Sequence, residues 1–95
     1  MIKPQQLTLY YSPHCPFCHR VLDALRELGL TPDLASNSAG GIALKNTFSD
    51  KAAKNALKQG GGKSTVPCLR ITRGEKVEWL YESRDIIAFL QAQLK

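Results

Sequence analysis

The sequence predicts an α/β fold, a four-stranded mixed sheet flanked by about three helices, and three features carry that prediction. An apolar, β-favouring run, Leu7-Thr8-Leu9-Tyr10-Tyr11, is followed by Val21, Leu22, Leu25 and Leu28 at helical spacing. Two further β-favouring runs, Val66 to Thr72 and Val77 to Leu80, flank the turn-forming Arg73-Gly74-Glu75-Lys76. A final stretch places Ile86, Ile87, Leu90 and Leu94 on one helix face. Ninety-five residues suffice for one core, so residues 1–95 are expected to form a single domain.

In chain order, Leu7 to Tyr11 is the first strand, ended by Pro13, and the first helix stops at Gly29. Thr31 to Ala35 is expected to be a short second strand, parallel to the first across a β-α-β unit. Ser36 to Gly41 is a loop by composition, and Ile42-Ala43-Leu44 fits either a strand end or a helical turn. Ser49 or Asp50 can cap a helix over Lys51 to Lys58, which the run Gly60-Gly61-Gly62 should end. Val66 to Thr72 is a strand opened by Pro67, where a proline is tolerated. Ser83 should cap the last helix, with Asp85 in its first turn. The order β-α-β-α-β-β-α is that of the thioredoxin-like fold.

Composition narrows the function. Apolar residues are 43% of the chain, and no run approaches the ~20 apolar residues of a membrane span. The N-terminus lacks a signal-peptide core, so the chain as given reads as cytoplasmic and without a membrane partner. The net charge of +5 is scattered over several segments. It lacks the aromatic interleaving or module signature of a nucleic-acid binder, and nucleic acid is not expected as a partner. Three cysteines cannot make a disulfide framework, and a reducing compartment would not maintain one.

The chemistry concentrates in Ser12-Pro13-His14-Cys15-Pro16-Phe17-Cys18-His19. A strand feeding a C-x-x-C and then a helix sets the first cysteine at the helix N-terminus, among unpaired N–H groups and the positive end of the macrodipole. Both favour a thiolate, the reactive form of the side chain. Pro16 fits the first turn, where its missing N–H costs nothing. Cys15 is therefore the candidate nucleophile and Cys18 its resolving partner. Other readings of the motif are weaker. A C-x-x-C-H haem attachment site would want an exported chain, and Met1 is the only methionine to offer as an axial ligand. A zinc site would crowd its ligands into one turn without the second pair that structural zinc uses, so no metal is expected. Two core thiols would not need the helix-start position. His14 and His19 flank the cysteines, where an imidazolium would favour a thiolate; the ordinary alternative is two solvated side chains. Gly60 to Thr65 is no phosphate loop, because Leu57 stands where a glycine is required and a strand follows instead of a helix.

Tyr11 to Cys18, Thr65-Val66-Pro67, and Glu82-Ser83 before the last helix together resemble the glutaredoxin family. The resemblance spans most of the chain and is least between Asn37 and Ser49. It implies a glutathione-dependent thiol–disulfide oxidoreductase that reduces protein–glutathione mixed disulfides and protein disulfides. Glutathione would be a co-substrate, and no cofactor would be bound. It also implies a cis Val66-Pro67 bond opposite the cysteines, with the Val66 main chain pairing the cysteinyl part of glutathione. Lys63 would face the glycine carboxylate, and Glu82 and Ser83 would hold the γ-glutamyl end. A helix N-terminus binds such a carboxylate through its free N–H groups; Ser83 as an ordinary cap is the simpler alternative. Phe17 would form an apolar rim for substrate. The Glu-Ser pair is closer to glutathione-transferase-like members than to the common short ones.

This chain departs from the pattern in several places. Phe17 replaces a frequent tyrosine, Ser12 replaces a frequent basic residue, and Cys68 follows the proline as either a small strand residue or a third redox thiol. The helical second domain of glutathione transferases has no counterpart in this sequence, so conjugation is not expected. Two alternatives differ in class: a module holding an iron–sulfur cluster between two subunits, disfavoured by Pro16, and a disulfide reductase that does not use glutathione. A monomer is the default.

Overall fold

The computed structural model describes residues 2–94. Its centre is β1 (Leu7–Tyr11), buried at every position. A strand with both faces covered reads as a nearly continuous apolar run, and here Thr8 is its one aliphatic polar residue. Parallel to it lies β4 (Ile42–Asn46), with Thr8 opposite Ala43 and Tyr11 opposite Asn46. On its other side runs antiparallel β5 (Cys68–Arg73), paired in turn with β6 (Lys76–Tyr81). Two short strands, β2 (Pro32–Asp33) at the edge and β3 (Ser38–Ala39) inside it, complete a six-stranded sheet in the order β2-β3-β4-β1-β5-β6. The fold is the expected mixed α/β sheet, but with six strands in place of four.

The departure has a local cause. The Asp33 carboxylate accepts the N–H groups of Ala35 at 3.1 Å and Ser36 at 3.4 Å. That turn folds the chain back after two strand residues, so β2 pairs antiparallel with β3 and never reaches β1. The stretch read as a loop supplies β3, and Ile42-Ala43-Leu44, left open in the sequence, becomes the parallel neighbour. Ile42 and Leu44 alternate inward with 0% and 1% exposure, which suits the slot beside β1.

Helices α1 (Pro16–Glu27) and α3 (Ser83–Leu94) cover one face of the sheet. Val21, Leu22 and Leu25 of α1 and Ile86 and Leu90 of α3 pack there with Leu7, Leu9 and Leu69. The opposite face carries α2 (Lys51–Gly61), whose Ala53 and Leu57 meet Tyr10 and Cys68. Asp50 is its N-cap, accepting from Ala52 and Ala53 at 3.0 and 3.2 Å. The end of α1 is a Schellman motif: Leu30 N–H donates to Leu25 C=O and Gly29 N–H to Arg26 C=O, with Gly29 at φ 81°.

Two boundaries differ from expectation. Helix α2 runs through Gly60 and Gly61 and ends at Gly62, which takes φ 87°. A Cβ on Gly60 would strike the Trp79 ring, and one on Gly61 the Tyr81 hydroxyl. Those two glycines are thus close-approach positions inside the helix, and only the third is a terminator. Ser83 is the first residue of α3 and not its cap. The first intrahelical bond runs from Ile86 N–H to Glu82 C=O at 3.0 Å, so the cap position falls on Glu82, which adopts φ 74°.

Candidate active site

The bend between β1 and α1 sets Cys15 at the N-cap of α1, extended at φ −98°, with Pro16 as the first helical residue. Cys15 N–H donates to Ser12 C=O, and its own carbonyl accepts His19 N–H, both at 3.2 Å. The side chain is half-buried and leads out of the core; Cys18, one turn on, has 0% exposure. All three cysteines are free thiols. Ser12 N–H points at Cys18 Sγ from 3.5 Å. Burial pushes the Cys18 thiol up to about 12, against a smaller downward pull from that N–H. The two motif sulfurs thus have different environments, one half-buried at the helix start and one sealed in the core.

Across from Cys15, the Val66-Pro67 bond is cis, as the family resemblance implied. The Val66 carbonyl lies 3.7 Å from Cys15 Sγ. From this point a groove of about 260 Å³ opens, lined by Phe17, Lys63, Thr65, Val66, Pro67, Tyr81, Glu82 and Ser83. All six residues that the resemblance implied for glutathione line it, although they come from α1, the α2–β5 connection and the start of α3. The positive end of α3 is at Ser83. Lys63 brings an ammonium and Glu82 a carboxylate to the same groove. Phe17 is 54% exposed and forms part of the wall.

Tyr81 escaped the sequence reading, and Thr65 appeared there only within a motif. The available signal for Tyr81 was its alternation with Trp79 on β6, which turns both rings to the face that carries α2. The two histidines are engaged elsewhere. The His19 Nε2–H donates to Pro13 C=O at 2.7 Å, and the His14 ring meets Phe48 edge-on with centroids 4.6 Å apart. Cys68 is buried beneath the groove, and burial raises its thiol to about 11. Among the described residues no cluster of three or more His, Cys, Asp or Glu side chains could hold a metal ion, and no helix is long and apolar enough to cross a membrane.

Residues 14–93 match the family model described as glutathione S-transferase, N-terminal domain. The chain belongs to that family. Membership of this glutathione S-transferase N-terminal family agrees with the thioredoxin-like sheet and covers every candidate residue from Cys15 to Ser83. Comparison with curated proteins gave no match.

Proposed function

We propose that this protein is a glutathione-dependent thiol–disulfide oxidoreductase of the glutaredoxin kind, reducing protein–glutathione mixed disulfides and protein disulfides. The observation that carries the reading is the adjacency of an accessible Cys15 thiol, at a helix N-terminus, to a groove bearing both charges that a zwitterionic tripeptide needs. On this reading the glutathione γ-glutamyl carboxylate lies at the start of α3 beside Ser83, and its ammonium meets Glu82. The glycine carboxylate faces Lys63, and the cysteinyl main chain pairs with Val66. Phe17 and Pro67 supply apolar walls. The protein is proposed to act as a monomer. Glutathione acts as a substrate, and no resident cofactor is needed.

The chemistry follows from thiol exchange. Cys15 thiolate attacks the glutathionyl sulfur of the mixed disulfide; that S–S bond breaks and a Cys15–glutathione bond forms. The protein thiolate leaves and takes a proton from water. A second glutathione thiolate then attacks the adduct, releasing glutathione disulfide and restoring Cys15. The net change moves the disulfide from the protein to glutathione. For an internal protein disulfide, Cys18 instead displaces the group held on Cys15, giving up its proton as that group departs and forming a Cys15–Cys18 disulfide, which two glutathiones then reduce, leaving as glutathione disulfide. Three free thiols suit a reducing compartment, so the cytoplasm is the proposed location.

The test compares electron sources. A glutathionylated peptide should be reduced with glutathione and glutathione reductase, and not with thioredoxin reductase. Cys15→Ser should abolish turnover, whereas Cys18→Ser should retain deglutathionylation and lose reduction of internal disulfides. Turnover driven by thioredoxin reductase alone would contradict the reading.

A further inference from the structure

Two residues that line the groove, Thr65 and Tyr81, have no part in the proposed chemistry, and Tyr81 is tied to one that does. Tyr81, the last residue of β6, contacts the groove through both its hydroxyl and its ring. The hydroxyl donates to the Lys63 carbonyl at 2.9 Å. The ring lies beneath the same residue's ammonium, with Nζ 5.4 Å from the centroid. Lys63 follows three consecutive glycines, the last at φ 87°. A main chain so free of side-chain constraint would let Lys63 sample many directions. Both contacts to Tyr81 act against that, one on the backbone and one on the charge. The strand ladder fixes Tyr81 itself, opposite Cys68, the residue after Pro67. Gly61 belongs to the same device, because any Cβ there would occupy the space of the Tyr81 hydroxyl.

We infer that Tyr81 is the positioning residue for Lys63, holding its ammonium at one end of the groove so that the site recognises a ligand carboxylate there. Tyr81 acts through Lys63 and touches no reacting atom. The inference rests on the reading of this groove as the glutathione site. It assigns to Tyr81 a share of glutathione affinity and none of the chemical step.

Tyr81→Phe removes the hydroxyl and keeps the ring. The KM for a glutathionylated peptide should rise about threefold to tenfold, the factor carried by one lost hydrogen bond, with kcat within twofold of wild type. In a Lys63→Ala background the same change should move KM less than twofold, since the group being positioned is gone. Gly61→Ala offers a second route. Alanine is the better helix former, yet it should raise KM as Tyr81→Phe does by displacing the hydroxyl. Amide hydrogen exchange of residues 62–65 should quicken in Tyr81→Phe, a readout that needs no activity. A KM unchanged in Tyr81→Phe while Lys63→Ala raises it would overturn the inference. So would an equal effect of Tyr81→Phe with and without Lys63, or unchanged exchange over residues 62–65. A wild-type protein inactive with glutathione would instead sink the functional reading, and the exchange measurement would still decide whether Tyr81 holds the loop.

Discussion

Cys15 and Cys18 stand three residues apart on one turn and differ in almost every physical respect. Cys15 is half-buried at the helix start, and Cys18 is sealed in the core and held as a thiol by desolvation. Iodoacetamide at neutral pH should therefore label Cys15 first, with Cys18 and Cys68 reacting only after unfolding; peptide mass mapping checks the order. Glu82 is the other residue whose backbone and chemistry pull apart. A non-glycine residue at φ 74° is costly, and such positions persist where a side chain is needed. Glu82→Gly should leave the fold intact or stabilise it by up to about 1 kcal/mol in urea titration, while raising KM for glutathione substrates. Most of the candidate residues were legible because they lie in short local patterns: a C-x-x-C after a strand, a Val-Pro before one, and a Glu-Ser before a helix. Tyr81 was not, because its role depends on a partner eighteen residues away and no local pattern records that distance.

At the level of elements, all three helices were located, but ends that depend on packing across the sheet or on the backbone turn at Glu82 were misplaced. Asp50 caps α2 with two hydrogen bonds, and Asp50→Ala should cost about 1 kcal/mol of stability, measurable by chemical denaturation. The three glycines after Lys58 suggested a terminator, yet two of them lie within the helix because Trp79 and Tyr81 need their space. That requirement arises across the sheet and leaves no mark in the local sequence. The same holds for the second strand. Thr31 to Ala35 has the right place in a β-α-β unit, but Asp33 turns the chain and Ile42–Asn46 takes the inner position. Pro32 and Asp33 belong to an edge, where short strands with few pairings are common. The turn of the β5–β6 hairpin was readable, since Gly74 at φ 61° is the turn signal itself, but β5 begins at Cys68, after the cis bond, and not at Val66.

Across the whole molecule, the groove is assembled by the sheet and not by any one segment. Strand β1 delivers Cys15, β5 starts just after Val66-Pro67, and β6 ends at Tyr81 beside Glu82 and Ser83. The family match over residues 14–93 takes in every residue that lines the groove, while β1 precedes it. The buried sulfurs also couple the fold to pH. Cys18 and Cys68 start from a reference value of 9.0 and are raised in the folded state to about 12 and about 11. The folded chain then binds more protons than the unfolded one above about pH 9, so stability is full below that pH and falls as pH rises towards 12. Urea unfolding at pH 8 and pH 10 should show the loss, and Cys68→Ala should make it shallower. The account as a whole turns on a glutathione moiety held on Cys15 within the adjacent groove. The most direct measurement is to treat Cys18→Ser with glutathione disulfide, map the adduct by mass spectrometry, and record nuclear Overhauser contacts from the bound tripeptide. A single glutathione on Cys15, with contacts to Val66, Ser83 and the Phe17 ring, is the expected result. An adduct shared with Cys68, or a tripeptide on Cys15 that makes no contact with those residues, would contradict the account.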